Sequence, residues 1–208
     1  VLQLCLDGEI SELIDPQEYP IISQKIIQQA IYSTLFRFKD DLETVPCLAK
    51  SFTVRNRSIL IELQENIRFS DGRPITARDV ISSIERLLKA PKSRASLHRY
   101  IDGAESFVSG DTPHCPGLEQ IDSKRVRIRF RNNNINLIQF LSDTTASILP
   151  EGWQPEEKVY SGPYTIEQRR RKDGVETISL RANPYWTINK PGNEQIVVQV
   201  HKFPDSMT

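Results

Sequence analysis

The chain has 208 residues, long enough to bury a core without disulfide or metal help, and its 38% hydrophobic and 26% charged residues are an ordinary globular mixture. Its 27 Lys plus Arg balance 27 Asp plus Glu, so no net field draws it to nucleic acid or to an anionic membrane, and no apolar run approaches the length of a bilayer span. Three cysteines without a C-x-x-C pair argue against a zinc knuckle or a thioredoxin-like centre.

Val1 to Leu6 reads as a buried strand in which Cys5 serves as a small hydrophobe, and Asp7-Gly8-Glu9 breaks it with turn chemistry. No basic n-region or cleavage motif precedes it, so any signal peptide is expected outside this segment. A loop runs to Asp15-Pro16. From Pro20, the residues Ile22, Ile26, Ile27, Ala30, Ile31 and Leu35 recur at helical spacing, which predicts an amphipathic helix to about Thr34. Ser58 to Leu63 places Ile59, Ile61 and Leu63 on one side of a strand, and Ser70-Asp71-Gly72-Arg73 supplies a tight turn. Thr76 with Asp79 three residues on forms a capping box. It opens a helix whose stripe is Val80, Ile81, Ile84, Leu87 and Leu88 and whose end is marked by Pro91.

Lys124 to Arg131 alternates, with Val126, Ile128 and Phe130 on one face and Arg125, Arg127, Arg129 and Arg131 on the other. Acidic residues elsewhere in the chain are expected to pair with that arginine row. Leu137, Ile138 and Leu141 suggest a short helix. Tyr164 to Gln168 and Val175 to Leu180 flank the Asp173-Gly174 turn of a hairpin, and Arg169, Arg170, Arg171 and Lys172 read as its solvated tip. Ile196 to Val200 is a last strand. Strands and helices mix without regular alternation, so the expected class is α/β (mixed α+β), a mixed sheet with flanking helices.

Catalytic chemistry is hard to build from these residues. The three histidines, His98, His114 and His201, lie in unpromising settings, and no H-E-x-x-H, G-x-S-x-G, Walker A or G-x-G-x-x-G pattern occurs. Asp71 and Asp79 suit a turn and a helix start better than a carboxylate pair. His114-Cys115 lacks converging partners for a metal or a nucleophile, and a Cys47–Cys115 bridge stays open. Asn56-Arg57-Ser58 matches a glycosylation sequon, a pattern common by chance. No enzyme, cofactor or metal is expected.

Phe69-Ser70-Asp71-Gly72-Arg73-Pro74-Ile75-Thr76-Ala77-Arg78-Asp79-Val80 resembles the "F-x-D-G-x-P-[LIV]-T-A-x-D-V" segment of the family 5 extracellular solute-binding proteins. These serve ABC importers of oligopeptides, dipeptides and nickel chelates. Supporting blocks follow in the family's order: Glu9-Ile10-Ser11, Leu13-Ile14-Asp15-Pro16, Ile31 to Phe36, Pro46 to Phe52, Gly117 to Asp122, Ser161-Gly162-Pro163-Tyr164 and Arg181 to Trp186. The chain departs from the pattern in the extra residue of Leu13-Ile14-Asp15-Pro16, in Gln64, and in Tyr160, which stands where the G-[ST]-G-P-Y motif has its first Gly.

The resemblance implies the first lobe of a two-lobed periplasmic-binding-protein-like fold of the class II type. It also implies a sub-division into 1–44 plus 160–208 and an inserted 45–159. Gln195 to Val200 with Phe203-Pro204-Asp205 resembles the approach to the crossover, so the second lobe and the strand returning from it are expected outside this chain. It implies ligand contact at Glu9, Ile10 and Ser11, more weakly at Tyr100, with Ser161 and Gly162 near the hinge. A solvated carboxylate is the alternative for Glu9, and ordinary core packing for Tyr100. The expected partners are a peptide or small polar solute, an ABC permease in the membrane and the chain's own second lobe. A monomer is expected, in the periplasm or outside the cell and open to lipid anchoring, with no nucleic acid bound by this segment. The competing reading is a ligand-sensing module of a cytoplasmic transcriptional regulator, which an upstream helix-turn-helix would signal.

Overall fold

Alternating apolar residues on several strands dictate two sheets, and the computed structural model shows how they are joined. It describes residues 1–18, 22–39, 43–90, 100–131 and 136–201; Pro20, Pro91, His98 and Phe203-Pro204-Asp205 lie outside them. The first sheet has the order β1 (Leu2–Asp7), β10 (Gln195–His201), β9 (Val175–Ala182), β8 (Tyr164–Lys172). β1 runs parallel to β10 and the other neighbours are antiparallel, so the sheet is mixed as expected. Asp173 (φ 50°) and Gly174 (φ 77°) hold the left-handed positions of the β8–β9 turn.

The second sheet is antiparallel throughout: β4 (Ala49–Arg55), β5 (Ser58–Leu63), β7 (Arg125–Arg129), β6 (Leu118–Gln120). Ile59, Ile61, Leu63, Val126 and Ile128 form its buried face under α2 (Ala77–Lys89), with α3 (Ala104–Ser109) and α4 (Asn136–Phe140) nearby in the chain. A two-stranded ribbon, β2 (Phe36–Phe38) with β3 (Thr44–Pro46), joins the two regions. The arginine row of β7 is neutralised as anticipated: Arg127 and Arg129 reach Glu119, Arg125 reaches Asp122, and Arg131 reaches Glu105.

Several elements were not legible. β2, β3 and β6 span three residues each, too few for a period to show. β4 buries only Ala49, so it has no alternation to read, and its turn uses Asn56 and Arg57 at φ 48° and 56° instead of an Asn-Gly pair. The six-residue α3 sits between Gly103 and Gly110, both in the left-handed region.

Three expectations need correction. Among the described residues β1 has one partner and lies at the sheet edge, so Val1 and Leu2 are exposed and Cys5 is an exposed thiol, not a core one. The first helix, α1 (Ile22–Ile31), is shorter than expected and turned: Ile22 and Ile26 face outward, while Ser23, Gln24, Ile27, Gln28 and Ile31 are buried. The glutamines are inside because they have partners there; Gln24 accepts from the Ser11 N–H at 3.0 Å and Gln28 donates to the Asp15 carbonyl at 2.9 Å. Arg169 is not part of a solvated tip, as described below.

Two hydrophobic clusters result. One gathers around the second sheet, and the other combines Ile27, Ile31 and Tyr32 with Ile178, Leu180, Val198 and Val200. α2 touches both. Its apolar stripe enters the first cluster, starting at the capping box, where Asp79 accepts from the Thr76 N–H at 2.8 Å and hydroxyl at 2.7 Å. Its polar edge meets the second. Asp79 also accepts from Glu151 N–H at 3.1 Å, Ser83 Oγ accepts from Leu149 N–H at 2.8 Å, and Gln17 Nε2 donates to the Ser83 carbonyl at 2.8 Å. Arg86 makes a two-pronged ion pair with the buried Asp15 and stacks 5.2 Å from the Trp153 ring.

Cys47 and Cys115 are buried free thiols, and burial raises both above the ordinary thiol range. A thiol-reactive dye should therefore label Cys5 fast and the other two only after denaturation. A count below three in denaturant without reductant would instead reveal a bridge. Arg86→Ala should cost about 3 kcal/mol in urea unfolding, because it strands a buried carboxylate. Arg78→Ala, which breaks an exposed pair with Glu151, should leave the urea midpoint almost unchanged. Equal losses would refute the special place given to Arg86.

Candidate functional site

The loop after β1 is built to be rigid. Gly8 leaves the sheet at φ 137°, which side-chain-bearing residues rarely adopt, with its N–H donating to the His201 carbonyl at 2.8 Å. Ser23 Oγ of α1 donates to the Glu9 carbonyl at 2.8 Å. From the other side the Arg169 guanidinium donates to three successive carbonyls: Ile10 at 3.1 Å, Ser11 at 2.9 Å and Glu12 at 2.7 Å. Its Nε pairs with Glu176, itself buried and also reached by Arg171. A planar fork with five donors suits this task, where a lysine could not hold three carbonyls and a carboxylate in one geometry.

The loop then turns inward. Asp15 Oδ1 accepts from the Gln17 N–H at 2.9 Å, and Tyr32 donates its hydroxyl to the Ile14 carbonyl at 3.2 Å. Burial, with Tyr160 and Asp15 adding to it, holds the Tyr32 hydroxyl far above the usual phenol range, so it remains a donor at any working pH.

The residues expected at the site are placed as follows. Glu9 and Ser11 expose their side chains, whereas Ile10 is buried in the second cluster and offers only its backbone side. Ser161 is buried and its Oγ accepts from the Ser33 N–H at 3.0 Å. Gly162 donates to the Ile31 carbonyl at 2.9 Å, and a Cβ there would lie 2.6 Å from the Ile31 carbonyl carbon, so the crossing needs glycine. These two residues fasten the start of β8 to the end of α1. Tyr100 belongs elsewhere: it is half-buried, its ring 5.6 Å from that of Phe140 and its carbonyl bonded to Arg131 beyond β7. The structure thus brings Glu9, Ile10 and Ser11 together with α1 and β8 and leaves Tyr100 in the first cluster's surroundings.

Arg169, Ser23 and Gln24 were missed. In the sequence Arg169 is one of four consecutive basic residues, and nothing local separates the one that turns back from those that stay in solvent. His114 and Cys115 meet α2: His114 Nδ1 lies 3.5 Å from Glu85, which also accepts from the Cys115 N–H. Among the described residues no group of three or more His, Cys, Asp or Glu could hold a metal ion, and no helix is long and apolar enough to cross a membrane.

Two hollows adjoin these elements, and Tyr32 lines both. One, of about 500 Å³, has Arg37, Cys47, Thr144, Trp186 and Asn189 in its wall. The other, of about 280 Å³, lies directly beside the loop, between residues 12–14, 155–158 and 160, and the 166–169 stretch of β8.

Comparison with known proteins agrees with this architecture. Residues 43–208 match the family model described as "Bacterial extracellular solute-binding proteins, family 5 Middle". The periplasmic oligopeptide-binding protein OppA of Escherichia coli K12 is 24% identical over 208 aligned residues, covering 91% of this chain and 37% of OppA. Among solved structures, Listeria monocytogenes OppA bound to peptide superposes with a TM-score of 0.79 at 18% identity, over 95% of this chain and 42% of that one. The binding protein AgaA in complex with agropinic acid, from Agrobacterium tumefaciens R10, gives 0.76 at 23% identity, over 96% and 40%. The chain therefore spans about two-fifths of the length of the relatives it matches, and its mixed α/β fold matches part of the OppA-type binding proteins. Such proteins hold a solute and do not transform it. The chain belongs to the family 5 bacterial extracellular solute-binding proteins.

Proposed function

We propose that these residues form the first lobe of the substrate-binding component of an ABC importer. The lobe closes with a second one on an oligopeptide or similar polar solute and presents it to a membrane permease. The reading places the protein in the periplasm or outside the cell, acting as a monomer. The observation that carries it is the loop of Glu9 to Glu12. Its carbonyls are already held by Ser23 and Arg169 and its Ser11 N–H by Gln24, so its shape is set by the fold and it displays Glu9 and Ser11 outward. A surface set in advance loses little freedom on binding, which is what a capture device needs. In this reading Glu9 and Ser11 touch the solute, the buried Ile10 shapes the loop under them, and Ser161 and Gly162 keep the hinge-side end of β8 in place. Tyr100, on the other cluster, contributes only where the solute extends that far. We also keep a sub-division into 1–44 plus 160–208 and 45–159; the two hydrophobic clusters follow it in part, with Leu35 and Phe36 crossing into the first cluster and Leu149 and Trp153 into the second.

One lobe offers only part of the contact surface. Isothermal titration of residues 1–208 with a mixed peptide library should give no binding tighter than millimolar, while the protein from the complete reading frame should bind. Micromolar binding by 1–208 alone would sink the shared cleft, and a full-length protein that ignores every peptide would sink the peptide.

A further inference from the structure

The groove beside the loop carries charge that the fold does not use. Two of its charged side chains are committed elsewhere, Arg169 to Glu176 and Glu167 to Arg181. Glu12, Glu156 and Glu157 stand exposed along it, with Lys158 as the one further cation among the described residues of its lining, so carboxylates are in excess there. Exposed carboxylates alone specify nothing. The second observation is Tyr160, only 6% exposed. Its backbone is fixed by Ser70, which accepts from its N–H at 2.9 Å and donates to its carbonyl at 2.8 Å. Its ring sits edge-on to Tyr32 at 5.7 Å.

Tyr160 lines the groove, and no described residue forms a hydrogen bond with its hydroxyl. Burial pushes that hydroxyl up to about 12, so it stays a neutral phenol able to accept a hydrogen bond. A site with excess carboxylate, an aromatic wall and a free acceptor matches an alkylammonium or guanidinium group, which brings positive charge, donors and an apolar stem together. A glycine at this position, as in the motif that the flanking residues resemble, would supply neither ring nor hydroxyl.

We propose that this groove receives a cationic side chain of the solute, a lysine or arginine of a bound peptide, with Glu12, Glu156 and Glu157 setting the charge preference and the Tyr160 hydroxyl accepting from the cation. This rests on the reading of the chain as part of a peptide-binding protein. The test uses the protein from the complete reading frame and Ala-rich tripeptides that differ only in carrying lysine or acetyl-lysine at each position in turn. At one position at least, calorimetry should show the lysine peptide bound about tenfold more tightly. That ratio should fall to near one in the Glu12→Gln, Glu156→Gln, Glu157→Gln triple variant, and should be reduced several-fold by Tyr160→Phe, which keeps the ring. An unchanged ratio in the triple variant, or no preference in the parent protein, overturns the proposal.

A second measurement separates it from the underlying reading. Butylammonium, compared with sodium at equal ionic strength, should raise the melting temperature of the parent protein and not of the triple variant. That result together with no peptide binding would keep the cation groove and discard the peptide, whereas no shift and no peptide binding would discard both.

Discussion

Arg86 holds a place on which both halves of the packing depend. Its helix carries one hydrophobic stripe, which can satisfy only one core, yet the chain builds two. The second is reached through the opposite edge of α2, where Asp79, Ser83 and Arg86 engage residues 15–17 and 149–151 by hydrogen bonds and an ion pair. Apolar contact tolerates sliding, whereas a guanidinium facing a buried carboxylate, with Gln17 accepting from the same group at 2.7 Å, does not. The register between the two sheets is therefore set by polar geometry. Trp153 closes the arrangement by covering the guanidinium face.

The same logic recurs at the loop after β1. Arg169 is a second guanidinium with a buried carboxylate behind it, Glu176, and backbone carbonyls in front. Glu176 is accommodated at 6% exposed because two arginines face it, and Arg169 can order three carbonyls because Glu176 fixes its plane. The candidate site thus derives its rigidity from the hairpin below it. β8 and β9 meet at the Asp173-Gly174 turn, and their register puts Arg171 opposite Glu176 and Arg169 opposite Ile178. A slip of one residue would turn Arg169 to the other face and release the loop.

How much of this was legible can be judged residue by residue. Thr76 with Asp79, the alternation from Ile59 to Leu63 and the Asp173-Gly174 turn announce their structures because each depends on contacts within a few residues. The α1 face was misread because Gln24 and Gln28 look like solvent residues until Ser11 and Asp15 arrive to pair with them. β1 was misread for the opposite reason: Val1 to Leu6 is apolar enough for a central strand, but only β10 lies beside it here. At the candidate site, Glu9 and Ser11 were expected from the family pattern, while the arginine that holds the carbonyls of residues 10–12 was not.

Local chemistry thus settled the class of the chain, a mixed α/β member of the family 5 solute-binding proteins, and singled out the loop after β1 as its candidate site. Turns, caps and periodic strands are written in neighbouring residues, and a family string such as Phe69 to Val80 is made of just those features. The tertiary structure alone decided which charges are interior. It separated Arg169 from Arg170, Asp15, Asp79 and Glu176 from the exposed acids, and Tyr160 from an ordinary core aromatic. The cost of burying a charge or a hydroxyl depends on partners more than a hundred residues away in the case of Arg169, and no pattern along the chain records that distance.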